Sequence, residues 1–148
     1  MISSRLPGRD SLLFVYGTLR PFVAIPMARW LAAEAHYVGP ARTRGRLYDL
    51  GPYPGMHAAR GHRQWVVGDV YHVASPRVLR ALDLYEAGAR TMLPKFARAH
   101  CTVAFARGAP RAAWVYLYRP RVRHAPRIVG GDYRRHLERA GRAHESRE

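Results

Sequence analysis

Most strand-forming runs in this sequence follow one another with no helix between them, which restricts the folds open to it. Leu12 to Tyr16 is an unbroken apolar run rich in strand formers, and Gly17 and Thr18 end it abruptly. His36 to Gly39 and Thr43 to Leu50 read as two strands parted at Gly39 and Pro40. "DLGPYPGM" then packs two prolines and two glycines into turn chemistry. Gln64 to Val73 is a further strand, with Gly68 marking a bulge or a close backbone approach. Ala97 to Ala106 and Arg111 to Arg119 form a hairpin across "RGAP".

Three helices fit between and after these runs. "AIPMARWLAAEAH" has Pro26 near its first turn and Met27, Trp30, Leu31 and Glu34 at helical spacing. "PRVLRALDLYE" starts from Ser75 as N-cap with Pro76 at the first helical position, and stops around Gly88. "GGDYRRHLERA" reads as a capped C-terminal helix. About six strands, few of them joined through helices, argue for an α+β fold. A curved sheet or small barrel with helices packed outside satisfies this order.

The 148 residues are most simply one domain over residues 11–140. Residues 1–10 read as a frayed polar tail and 141–148 as a charged one. No apolar run approaches the roughly 20 residues that span a bilayer, and no secretory pattern opens the chain. Cys101 is the only cysteine, so no intrachain disulfide can form, and a cytoplasmic setting is expected. In "AHCTVAF" it sits on a strand with His100 pointing to the opposite face, which favours a buried structural thiol over a nucleophile.

The net charge is +15, and 24 of the 25 basic residues are arginine. That balance raises the question of nucleic acid. The arginines are dispersed apart from Arg119, Arg121, Arg123 and Arg127, and no recognition helix or aromatic-basic motif accompanies them. A solvated basic face that attracts anionic metabolites is the preferred reading. The eight histidines form no HExxH pair, and there is no GxSxG elbow, P-loop or GxGxxG after a strand. No metal or cofactor is expected.

One carboxylate is out of place. Leu79, Leu82, Asp83 and Glu86 share one helix face, so Glu86 lies on or beside the apolar stripe in the last turn. Partial burial and the negative end of the helix dipole both raise its pKa, as a proton shuttle near neutral pH requires. A solvated glutamate near a helix end is the competing reading.

Read together, "VYGTL", "GRLYDLGPYPG", "VVGDVY", "LDLYE", "AWVYLY" and "IVGGDY" occur in an order that resembles the γ-glutamylcyclotransferase-like family. The resemblance runs from Leu12 to about Tyr133. It implies a small mixed β-barrel, closed or nearly closed, with flanking helices and a cavity between the turn and the glutamate's helix. It also implies that Tyr16, Gly17, Thr18 and Leu19 hold a γ-glutamyl group and that Glu86 is the acid/base. The reaction implied turns a γ-glutamyl amide into 5-oxoproline and a free amine, without cofactor or metal. Tyr116 and Trp114 are further candidates for the cavity wall, with ordinary core positions as the alternative. The chain departs from the family pattern at "FAR", where Phe96 stands in place of a tyrosine before Arg98. It departs again at Glu86-Ala87-Gly88 and at Gly131-Asp132-Tyr133, the last in place of Gly-Asp-Trp. A non-enzymatic binding module of the same fold is the main alternative, ahead of a nucleic-acid-associated protein.

Overall fold

The computed structural model describes residues 11–59, 63–87 and 95–145. Its elements run β1 (Leu12–Val15), α1 (Pro26–Glu34), β2 (His36–Asp49), β3 (Pro54–Ala58), β4 (Trp65–His72), α2 (Pro76–Ala87), β5 (Phe96–Ala104), β6 (Arg111–Tyr118) and α3 (Tyr133–Glu145). The N-terminal tail, the helix stop at Gly88 and residues 146–148 lie outside the described residues. Helix α3 reaches Glu145, into the segment read from sequence as a charged tail.

The sheet order is β3-β2-β4-β1-β6-β5, and an additional β2–β5 pairing joins the two ends of its five-strand part. Strands β2, β4, β1, β6 and β5 therefore close a barrel, and β3 is an extra strand on the far half of β2. All pairings are antiparallel except β1 with β6. The α+β barrel expected from the sequence is the fold observed.

Strand β1 is buried on both faces, which accounts for its unbroken apolar run. Leu12 and Phe14 join one core cluster with Val66, Val70 and Val115. Leu13 and Val15 join the other with Leu31 of α1 and Val78, Leu79 and Leu82 of α2. A Cβ on Gly68 would collide with the Val15 carbonyl oxygen and the Phe14 ring, so this glycine marks a close approach of β4 to β1. Ser75 accepts the Arg77 N–H at 3.2 Å, as its N-cap position predicts.

Two local readings differ from the structure. The strands expected on either side of Gly39 and Pro40 are one strand, β2, with a register shift between Tyr37 and Gly39. The irregularity falls where β2 has β4 as its neighbour, before β5 pairs at Arg42 and Thr43, so a proline without an N–H is tolerated there. The second half of "DLGPYPGM" is not all turn, because Pro54, Gly55 and Met56 open β3.

Cys101 is half-buried; burial pushes its thiol up to about 11, against the hydrogen bond with Thr43, as suits a structural thiol. His100 turns away and stacks on Trp114 with ring centroids 3.8 Å apart. No helix among the described residues is long and apolar enough to cross a membrane.

Candidate active site

The turn after β1 begins with a tyrosine that the barrel needs for itself. Tyr16 is buried; its hydroxyl donates to the Tyr116 carbonyl oxygen at 2.6 Å and accepts the Met56 N–H at 3.2 Å. It thus ties β1 to β6 and β3. Burial, and then the nearby Glu86 carboxylate, push its pKa well above the ordinary phenol value. Tyr16 gives the cavity a ring face, and its polar atom is already used.

Gly17 to Arg20 close a turn in which the Gly17 carbonyl accepts the Arg20 N–H at 3.1 Å. That bond uses neither the Thr18 nor the Leu19 N–H, and both residues line the cavity below. Leu19 anchors the turn by burying its side chain in the helix-side core. Thr18 is not the cap of α1, which starts at Pro26 with Ile25 at its cap.

Arg20 holds this turn in place, and the sequence analysis did not single it out. Its Nε lies 2.8 Å from Asp69 Oδ2 and its Nη1 3.0 Å from Asp132 Oδ1. Tyr37 completes the cluster by donating its hydroxyl to Asp69 Oδ1 at 2.6 Å. The two aspartates are those of "VVGDVY" and "IVGGDY", so these two motifs meet at one buried guanidinium, on the residue that follows "VYGTL". The available signal was Asp69, a carboxylate inside an otherwise apolar strand run.

Glu86 stands in the last turn of α2, below the buried Leu79 and Leu82. Burial pushes its carboxyl up to about 7. The other carboxylate of that stripe is engaged: Asp83 accepts the Tyr116 hydroxyl at 2.7 Å and pairs with Arg98 Nε at 3.0 Å. Among the described residues, none donates a hydrogen bond to Glu86. Asp83 is the structural acid, and Glu86 is the one left facing the cavity.

The cavity has a volume of about 340 Å³, ample for a small ligand. Its lining includes Tyr16 to Leu19 of the turn, Tyr85 and Glu86 of α2, and Tyr116 of β6. All five site residues read from the sequence are therefore brought together. Tyr53, Pro54, Tyr85 and Lys95 also line it and were missed as site residues, although "GPYPG" contained a weak hint of the first two. Phe96 lines the cavity and packs against Tyr53 and Tyr118, with centroids 5.6 and 5.2 Å apart. Trp114 does not line it. Two residues before Tyr116 on β6, it lies between His100 and the Arg98 guanidinium, which is 4.3 Å from its ring.

The sequence matches the family model described as gamma-glutamyl cyclotransferase, AIG2-like, over residues 13–135. Among solved structures it is similar to YkqA from Bacillus subtilis, with 25% identity and a TM-score of 0.69. That likeness covers 89% of this chain and 42% of the Bacillus chain, so this chain spans less than half of it. An AIG2-like protein from Mus musculus is 24% identical, with a TM-score of 0.66 over 83% of this chain and 87% of that one. An uncharacterized protein from Pyrococcus horikoshii is 21% identical over 89% of this chain and 98% of its own, also at 0.66. No curated protein matches the sequence.

Proposed function

The chain belongs to the gamma-glutamyl cyclotransferase, AIG2-like family, and on that premise we propose that it converts a γ-glutamyl amide into 5-oxoproline and a free amine. One observation carries the reading: a carboxylate with its pKa at about 7, without a hydrogen-bond partner among the described residues, lines the same cavity as a turn whose own closing bond leaves the Thr18 and Leu19 N–H groups unused.

The reaction needs little apparatus, because the substrate's own α-nitrogen is the nucleophile and ring closure supplies the proximity. Glu86, ionised, takes a proton from the α-ammonium. The nitrogen attacks the γ-carbonyl carbon, and the carbonyl oxygen becomes an oxyanion within reach of the Thr18 and Leu19 N–H groups. The bond from that carbon to the amine nitrogen then breaks as protonated Glu86 returns its proton to the leaving nitrogen. The remaining extra proton on the cyclised nitrogen passes to the released amine or to solvent. A group with its pKa near the working pH suits both transfers.

A panel of γ-glutamyl amino acids, peptides and amines, assayed for 5-oxoproline release, tests the proposal. Release from none of them, with the protein folded by circular dichroism, would overturn it. Turnover is expected to survive exhaustive dialysis against EDTA, since intramolecular attack requires no Lewis acid. A loss that one particular divalent ion restores would contradict that expectation.

Gly17 has a more specific role than backbone freedom. A Cβ there would lie 2.7 Å from Pro54 Cγ, so Gly17→Ala presses on a cavity-lining proline rather than on the ligand directly. The expected result is a lower melting temperature together with a raised KM. Adding Pro54→Ala removes the clashing ring carbons and should recover most of both. Failure of that double variant to recover either would place the effect of Gly17 elsewhere.

A further inference from the structure

The chain contains a single lysine among its 25 basic residues, and that lysine, Lys95, stands on the cavity. Its carbonyl accepts the Arg119 N–H at 2.7 Å, and Phe96 beside it is packed into the aromatic wall, so its backbone is well anchored. Its side chain is exposed, whereas Tyr16 and Leu19 at the turn are buried. Lys95 is thus at the mouth of the cavity and the turn at its floor. Among the described residues, Glu86 and Lys95 are the only charged groups lining the cavity, and no carboxylate pairs with Lys95. Arg98, three residues on from Lys95, is committed to Asp83 of α2.

This inference rests on the cyclotransferase reading. With the γ-glutamyl head at the turn and the scissile bond beside Glu86, the leaving group extends toward the mouth. We propose that Lys95 is a specificity-determining residue that receives a carboxylate carried by the leaving group, so that the preferred substrates release an amino acid or peptide rather than a simple amine. A compact ammonium on a flexible four-carbon stem can follow leaving groups of different length, which a rigid guanidinium fork does less well. The exposed position at the mouth sets the size of the effect at roughly fivefold to tenfold in kcat/KM.

The test compares γ-glutamyl-L-alanine with γ-glutamyl-ethylamide, which differ only by the leaving group's carboxylate. The wild-type ratio of kcat/KM should favour the alanine compound by about fivefold or more. Lys95→Gln should bring that ratio to about one, mainly through KM for the alanine compound, and Lys95→Glu should invert it. Lys95→Arg should retain a preference. A wild-type ratio of one overturns the inference and leaves the cyclotransferase reading standing. So does a Lys95→Gln variant that loses both substrates equally, because the lysine would then be reading the α-carboxylate common to the two. Turnover of neither compound by the wild type overturns the inference, and the wider panel then decides whether the cyclotransferase reading falls with it.

Discussion

Glu86→Gln is expected to abolish most turnover, by a factor on the order of 10² or more, while leaving the fold intact. Glutamine keeps the size of the side chain and removes both the basic and the acidic form. The wild-type rate should rise with pH through an apparent pKa near 7, because the ionised carboxylate must take the first proton. That limb should disappear from whatever activity the variant retains. Stability should move in the opposite direction. The folded protein holds the Glu86 proton more tightly than an unfolded chain, whose glutamate titrates near 4.5. The stabilisation this gives is complete below pH 4.5 and is lost as pH rises through about 7. At pH 8 the glutamine variant should therefore melt at or above the wild-type temperature, while at pH 4 the difference should vanish. A folded variant with unchanged turnover would remove Glu86 as the shuttle; one that melts well below the wild type at pH 8 would mean its carboxylate has a stabilising partner.

Arg20→Leu carries the largest expected stability loss in the molecule. The substitution leaves Asp69 and Asp132 without the cation that both contact, and both side chains are largely buried. Breaking a buried pair from one side typically costs about 3–5 kcal/mol, since the remaining charge stays desolvated. Two carboxylates are stranded here, and the turn that Arg20 anchors borders the cavity. Urea denaturation should show the stability loss, and whatever remains folded at low temperature should show a raised KM. Arg20→Lys keeps the charge without the fork, so it should fall between the two. An Arg20→Leu protein within 1 kcal/mol of the wild type would show that the cluster is solvated in solution.

These two residues also differ in how far the sequence revealed them. Glu86 was visible because a carboxylate on an apolar stripe breaks a helical pattern that can be read from neighbours three and four residues away. Arg20 was not, because its partners lie 49 and 112 positions away, and no local period relates them. The same division runs through the fold. Strand β1, the Ser75 cap, the α2 stripe and the β5–β6 hairpin are local patterns, and each was legible. The single strand β2 was not, since glycine followed by proline is usually a break, and only a bulge beside a one-sided stretch of sheet tolerates it. Strand β3 was hidden in turn residues because its order comes from pairing with Gly45 to Asp49, not from its own propensity.

By itself, then, the sequence determined the kind and rough order of the elements, the family resemblance, the abrupt turn after β1 and the place of Glu86 on an apolar stripe, all of which depend on residues close together in the chain. Tertiary structure alone decided the closure of the barrel through Arg42 and Thr43 against β5, and the pairing of β1 with β6. It also decided between the two carboxylates of α2: Arg98 and Tyr116, from strands that follow the helix, reach Asp83 and leave Glu86 facing the cavity. The physical reason is the same in each case. Burial and helix periodicity are recorded in neighbouring residues, whereas the choice of a partner for a hydrogen bond or a charge depends on which distant segments the packed core brings within about 3 Å.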